Sequence, residues 1–201
     1  LLAYLYQNHS YTDYMNMELC EFIPKQHIFR RFKEHDMAKL IRKQQDDWRS
    51  YNLNLKRGRP ATPGKEIAFI LDDCAFKGDL WSTDIIQEIF YNGRHSHVTF
   101  VFVTQDAGDL NKNMRGQVDV VFATRELTKV NIKTLHDNYF GIFDLPRDFR
   151  RTFKQLTQNY QMLVLVKNLC RSTKIEDLVF WYKARMDLPS FRMGSEQAWI
   201  E

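Results

Sequence analysis

Two carboxylates follow an apolar run near the middle of the chain. The run is Ile67–Leu71, and Asp72 and Asp73 come directly after it. Acids in this position form a Walker B pattern, in which the first acid binds the Mg²⁺ of a bound nucleotide and the second polarises the attacking water. We therefore predict Asp72 as the Mg²⁺ ligand and Asp73 as the catalytic base. The alternative interpretation is a pair of acids that caps the turn after the strand.

A glutamine follows the next apolar run along the chain. The strongly β-forming segment His97–Thr104 ends at Gln105. An uncharged amide at a strand end can sense the γ-phosphate or orient the attacking water without cancelling the charge of the metal. This pattern predicts Gln105 as a catalytic residue, although a turn residue bonded to backbone would have the same sequence.

Arginines near these strands could stabilise a transferred phosphoryl group. Arg94 precedes the second strand, where it could reach the nucleotide of an adjacent subunit as an arginine finger. Its guanidinium would neutralise the charge that develops during transfer. Arg115 and Arg125 are further candidates, and Arg125 is also a candidate nucleotide contact. Each of the three could instead be an ordinary surface arginine.

A phosphate-binding Walker A loop is absent from the sequence. Gly64 is the only glycine followed by a lysine, but five residues separate it from Gly58 and Glu66 stands where the motif needs Ser or Thr. The segment also leads into a strand, so its amides would not converge at a helix N-terminus. We expect the true loop upstream, with Leu1–Gln7 as the remainder of the helix that follows it.

Apolar strands alternate with amphipathic helices along the chain. This alternation predicts an α/β fold, a three-layer architecture around a mostly parallel sheet, in which ligands lie beyond the carboxyl ends of the strands. Residues Val179–Tyr182 fit either a strand or a helix. The predicted strands are 67–71, 97–104, 118–124 and 160–166, and the main helices are 36–48, 83–91, 129–139 and 147–158.

Composition restricts the class of protein. The 201 residues are 44% hydrophobic and 27% charged, which fits a folded α/β domain and excludes a disordered chain. No apolar run approaches the roughly 18 residues of a membrane span, so we predict no transmembrane segment. Cys20, Cys74 and Cys170 are too dispersed for a zinc site or a disulfide framework, which favours a reducing compartment.

Positive charge is concentrated in one segment. The net charge is +4, yet residues 25–59 contain eleven Lys and Arg against four Asp and Glu, with aromatic residues such as Trp48 and Tyr51 between them. Such a segment could face nucleic-acid phosphates. It could equally be a solvated helix face followed by a basic loop.

Several segments together, in their order, resemble a known family. The segments are Phe22–Phe29, Ile67–Asp73, Asn92–His95, Val101–Gln105, Arg115 with Val118–Phe122, Arg125–Glu126 and Val179–Ala184. They resemble the poxvirus-type genome packaging ATPases of large nucleocytoplasmic DNA viruses, which belong to the FtsK/HerA superfamily of P-loop motors. The resemblance covers most of the chain.

The resemblance implies a RecA-like P-loop NTPase core, with residues 1–201 forming one ATPase domain whose P-loop and first strand lie upstream. It implies a homo-oligomeric ring that uses ATP and Mg²⁺ to translocate double-stranded DNA into a capsid. Capsid portal or membrane-vertex proteins would be partners, and the location would be the virus factory in the host cytoplasm or the virion. Asp72 and Asp73 match the Walker B acids, Gln105 the polar sensor and Arg94 the arginine before that strand.

Two other classes remain open on the residues alone. A two-metal nuclease could use Asp72 and Asp73 with Asp79 or Asp84, but it would not need Gln105. A catalytically inactive scaffold or nucleic-acid binding subunit would fit the missing Walker A loop. The retained acid pair opposes that interpretation.

Overall fold

A parallel sheet forms the centre of the first of two compact units. A computed structural model of the protein describes residues 2–7, 22–29, 32–72, 74, 80–185, 187, 190–194 and 196–199. The first unit contains residues 1–105 and 190–201, and the second contains residues 106–189. The sheet of the first unit has the order β2-β1-β3-β4, with all pairs parallel. Its strands are β1 (Leu2–Gln7), β2 (Ile28–Phe29), β3 (Ile67–Asp72) and β4 (Val98–Val103).

The strand β1 corrects the expectation for the start of the chain. Leu1–Gln7 was predicted as the remainder of a helix, but Leu2–Gln7 is a strand between β2 and β3. A short apolar run satisfies the spacing of a helix and the two buried faces of a central strand equally well. Hydrogen bonding to strands on both sides selects the extended form.

Two helices of the first unit pack beside the sheet. They are α1 (Glu34–Lys56) and α2 (Asp84–Asn92). Both helices were predicted, and their bounds differ: α1 extends well beyond residue 48, and α2 covers 84–92 instead of 83–91. Among the described helices, none combines the length and hydrophobicity that a membrane span requires.

The two faces of the parallel sheet differ in how they are covered. On β3, Phe69 and Leu71 share one face and are fully buried. The opposite face carries Ala68, which belongs to a cluster with Ile23. On the same face of the neighbouring β4, however, Val101 and Val103 are 40% and 46% exposed. The sheet is therefore closed on one side and open beside β4 on the other.

The second unit contains an antiparallel sheet in the order β5-β6-β7. The strands predicted at 118–124 and 160–166 exist, but they pair with each other in opposite directions instead of joining a parallel sheet. The ambiguous segment Val179–Tyr182 is a strand. The elements are α3 (Lys112–Arg115), β5 (Val120–Ala123), α4 (Lys129–Asn138), α5 (Pro146–Leu156), β6 (Gln161–Val166), α6 (Ile175–Leu178) and β7 (Val179–Lys183). The α/β class is confirmed.

Phenylalanine rings form much of the core of the second unit. Phe149 on α5 is fully buried, and its ring centroid lies 5.0 Å from that of Phe140 and 5.4 Å from that of Phe153. These rings pack with Leu163 and Leu165, which lie on one face of β6. The amphipathic helix α5 thus covers one side of this sheet.

Candidate functional site

Asp72 is the last residue of β3, at the carboxyl end of the parallel sheet. Its side chain is half-buried, and it is paired in register with Val103 of β4 and with Gln7 of β1. Its backbone carbonyl accepts a hydrogen bond from Cys74 Sγ at 3.4 Å, which fixes the chain as it leaves the strand. The apolar residues of β3 therefore deliver one acid to the edge of the sheet.

Gln105 lies at the same end of the sheet. It is exposed and follows Val103, the register partner of Asp72, by two residues. Adjacent strands are about 4.8 Å apart and each residue adds about 3.3 Å, so the two backbones lie roughly 8 Å apart. We refer to Asp72 and Gln105, at the ends of β3 and β4, as the carboxyl edge.

Part of the predicted site lies outside the described residues. Asp73, the predicted base, is one such residue, and so is Asp79 of the nuclease alternative. Conversely, β1 adds Gln7 to the carboxyl edge, because its backbone is in register with Asp72. Sequence reasoning missed Gln7, since the segment was expected to be a helix. The available signal was the pattern itself, in which a polar residue ends an apolar run, as Asp72 and Gln105 do.

Arg94 lies at the opposite end of the sheet. It belongs to the 3-10 turn Gly93–Ser96, which comes immediately before β4. The length of β4 alone separates this turn from the carboxyl edge by about 16 Å. One arginine side chain cannot cover that distance, so Arg94 can act on a nucleotide only if that nucleotide belongs to another subunit.

The glycine-containing segment between α1 and β3 also lies at the amino end of the sheet. As expected, residues 57–66 are irregular and lead into β3, not into a helix. A cavity of 470 Å³ lies between residues 61–65 and the adjoining face of α1. Ile67, the first residue of β3, lines this cavity, and Asp72 at the other end of the strand does not.

Arg115 has a structural environment in the second unit. Its Nε donates to the Leu110 carbonyl at 2.6 Å, and its Nη1 donates to Asn138 Oδ1 at 2.5 Å. Asn138 Nδ2 in turn donates to the Ala107 carbonyl at 3.0 Å. Together with Nη2, which donates to the Gly108 carbonyl, these bonds tie the segment 107–110 to α4. The Arg115 guanidinium therefore has a structural role within the second unit.

The pair Arg125–Glu126 follows β5, which belongs to the antiparallel sheet. Arg125 is exposed. Glu126 accepts hydrogen bonds from the backbone N–H groups of Leu127 and Thr128, both at 2.6 Å, immediately before α4. The bond from the Thr128 amide is the main cause that lowers the pKa of Glu126 below its ordinary value of 4.5. Glu126 therefore holds the turn that leads into α4.

The donor atoms of the carboxyl edge suit magnesium. Mg²⁺ prefers oxygen ligands and commonly binds through one or two carboxylates, with phosphates and water completing its shell. Asp72 supplies one such carboxylate. Within the ranges that the structure describes, no group of three or more His, Cys, Asp and Glu is placed to hold a metal. Asp73 and Asp79, two acids of the nuclease alternative, lie outside these ranges.

Comparison with known sequences finds relatives in viruses. The chain is 31% identical over 175 residues to an uncharacterized protein of Acanthamoeba polyphaga mimivirus, covering 87% of this chain and 61% of that protein. It is 28% identical over 177 residues to an uncharacterized protein of Invertebrate iridescent virus 3, with 87% and 63% covered. The chain thus spans less than two thirds of the length of these relatives. No protein-family model matches it.

Comparison with solved structures finds the same fold in a viral NTPase. The genome packaging NTPase B204 from Sulfolobus turreted icosahedral virus 2, solved in complex with AMPPCP, superposes with a TM-score of 0.55 at 16% identity. The match covers 92% of this chain and 84% of that one. At this identity the likeness establishes a shared α/β fold.

Proposed function

We propose that this chain is part of a viral genome packaging ATPase of the poxvirus type, in the FtsK/HerA superfamily. The observation that carries the proposal is the carboxyl edge, where an acid and an amide end neighbouring parallel strands in a fold shared with B204. In this proposal residues 1–201 belong to one RecA-like ATPase domain, whose P-loop and first strand lie upstream.

The whole protein would be a ring of identical subunits that hydrolyses ATP and moves double-stranded DNA into a capsid. B204 is a genome packaging NTPase that binds an ATP analogue, and its shared fold supports both the reaction and the substrate proposed here. The occurrence of the relatives in viruses supports a place in the virion or in the virus factory of the host cytoplasm. A capsid portal or a membrane vertex would be the docking partner.

Each proposed residue has a separate task at the carboxyl edge. Asp72 would hold Mg²⁺, which when bound neutralises charge on the nucleotide phosphates. Asp73 would orient the attacking water and accept its proton on a carboxylate oxygen. Gln105 would hold the same water through its amide, because an uncharged group leaves the charge balance unaltered.

Arginines would complete the site. Arg94, which lies at the amino end of β4, would stabilise the developing charge on the nucleotide of the next subunit, a contribution of about 10³ to 10⁵ in rate. Arg125 would be a weaker nucleotide contact. Because Arg94 cannot serve its own subunit, hydrolysis would require assembly.

The test is ATP turnover by the full-length protein with and without duplex DNA. We expect DNA-stimulated hydrolysis that Asp73→Asn abolishes while ATP binding survives, because the substitution removes the base and not the phosphate contacts. Asp187→Asn is the matched control, since Asp187 is an exposed acid of the second unit that bonds to Arg185. Unchanged turnover in Asp73→Asn would remove Asp73 from the role of base, and a wild-type protein without turnover would favour a scaffold.

Mixing subunits tests the role of Arg94. Arg94→Ala subunits should be inactive alone, and an inactive Asp73→Asn subunit should restore turnover when the two are mixed, because each supplies what the other lacks. Failure of the mixture to recover activity would show that Arg94 does not act between subunits.

A further inference from the structure

A basic cleft lies at the amino end of the parallel sheet, away from the carboxyl edge. It runs between the second half of α1 and the irregular residues 61–65, and it encloses the 470 Å³ cavity. The proposed ATP hydrolysis does not involve this cleft. The neutral donors that line it are Ser50, Tyr51, Asn54 and Thr62, and its cations are Lys43 and Lys65.

The chain reverses direction at the end of α1 to form this cleft. Gly58 adopts a left-handed conformation with φ of 65°, which a glycine accepts without strain. The amides of Arg57, Gly58 and Arg59 donate to the last carbonyls of the helix, including that of Asn54. The following residues therefore run back beside α1.

Contacts along the cleft hold its second wall in place. Gln44 of α1 is 3% exposed, and its Nε2 donates to the backbone carbonyl of Lys65. Gly64 packs directly against Trp48, because a Cβ at this glycine would lie only 2.8 Å from the indole Nε1. The cleft is consequently a fixed feature of the first unit and not a chance gap beside a loose loop.

The charges around the cleft are mostly positive. Lys43 and Lys65 are exposed within it, and Arg59 is exposed in the same irregular segment. Asp47 is the one acid among the described residues that lines the cleft, and Glu66 is exposed in the same irregular segment as Arg59, so three cations stand against two acids. Ammonium and guanidinium groups interspersed with hydroxyl and amide donors are the groups that bind phosphate oxygens of nucleic acids.

The aromatic residues of the cleft favour a duplex over a single strand. Proteins that bind single strands stack bases on open aromatic rings. Here the Trp48 ring is stacked on His97, with centroids 3.5 Å apart and planes 15° apart, and Tyr51 is held edge-on to Trp48 at 5.5 Å. With Gly64 also against Trp48, the indole is occupied by the protein itself.

We propose that this cleft binds the phosphodiester backbone of duplex DNA, with Lys43, Arg59 and Lys65 as the phosphate contacts. The identity of the polymer rests on the proposed packaging function, whereas the preference for phosphate rests on the charges and donors alone. Contacts to phosphate carry no base information, so binding is independent of sequence and strongly dependent on salt.

The test compares two variants of the full-length protein that lose equal charge. The first carries Lys43→Gln, Arg59→Gln and Lys65→Gln in the cleft. The control carries Arg147→Gln, Arg151→Gln and Lys154→Gln on the exposed side of α5. Fluorescence anisotropy with a labelled duplex of random sequence, measured without nucleotide at about 50 to 200 mM salt, gives the affinity and its salt dependence.

We expect the cleft variant to bind the duplex on the order of 10- to 100-fold more weakly and to lower the slope of log affinity against log salt by about 3. The α5 variant should match the wild type, and the thermal unfolding of both variants should be unchanged. The corresponding single strand should bind the wild-type protein more weakly than the duplex.

The outcomes separate this inference from the proposed function. If the wild-type protein binds no duplex, both fail. If it binds, but the cleft variant keeps the affinity and slope of the α5 variant, the inference alone is overturned, which is also the result that an acidic protein partner in the cleft would give. Tighter binding of the single strand would overturn the assignment to duplex DNA.

Discussion

The two units of the molecule place polar residues after strands in different ways. In the first unit, β3 and β4 are parallel, so Asp72 and Gln105 arrive at the same edge. In the second unit, β5 and β6 are antiparallel, so the residues after β5 lie beside the start of β6. In this chain, parallel pairing thus brings the polar residues after β3 and β4 to one edge, whereas antiparallel pairing keeps the residues after β5 and β6 at opposite edges.

The polar groups of the second unit serve its own backbone. Arg115 ties the segment 107–110 to α4, and Glu126 holds the turn that leads into the same helix. Both residues belong to the motifs that resemble the packaging ATPases. Position within such a motif therefore does not by itself mark a residue as catalytic.

The largest expected effect concerns the aromatic core of the second unit. Phe149→Ala should lower the free energy of unfolding by about 3 to 5 kcal/mol, because a fully buried ring is lost and a cavity remains. Chemical denaturation measures the loss. Phe122→Ala is the control in the same unit, since Phe122 is 60% exposed and its removal should cost far less. Equal losses would contradict the core assigned here.

A smaller effect distinguishes a structural Arg115 from an arginine finger. Arg115→Ala should cost about 2 to 3 kcal/mol of unfolding free energy, because charged hydrogen bonds to three carbonyl-type oxygens are lost. A double-mutant cycle with Asn138→Ala should give a coupling energy of about 0.5 to 3 kcal/mol. If Arg115 were an arginine finger, Arg115→Ala would instead lower ATP turnover and leave the free energy of unfolding and the coupling energy unaffected. That result would refute the structural role.

The smallest expected effect depends on pH. Because hydrogen bonds lower the pKa of Glu126, its ionised form stabilises the fold above the ordinary value of 4.5, and this contribution disappears as pH falls through the lower, folded pKa. Glu126→Gln should therefore cost about 0.5 kcal/mol at neutral pH, since solvent screens a group that is only partly buried. Unfolding curves of the two proteins should converge in acid. If the difference in free energy of unfolding persisted in acid, the charge of Glu126 would not be its cause.

Much of the α/β pattern could be predicted from the sequence. The strand at Ile67–Asp72 and the strand before Gln105 are long, apolar and bounded by polar residues, and the isoleucines of α2 have clear helical spacing. These features are local. For these elements the type therefore followed from their own residues, and only the bounds shifted.

Relations between distant elements could not be predicted in this way. Periodicity does not give the direction of β6 relative to β5, and a run as short as Leu2–Gln7 fits both a helix and a central strand. The bond between Arg115 and Asn138 joins residues 23 apart with no sequence signal. All three features depend on contacts between residues that are far apart in the sequence.

The most direct test of the account locates the metal. In the full-length protein with an ATP analogue, Fe²⁺ substituted for Mg²⁺ and treated with peroxide would cleave the backbone near its binding site, and mass spectrometry would identify the cuts. We predict cuts beside Asp72 and Gln105 that require the nucleotide and disappear in Asp72→Asn. Cuts confined to residues 61–65, or cuts that Asp72→Asn leaves unchanged, would contradict a nucleotide site at the carboxyl edge.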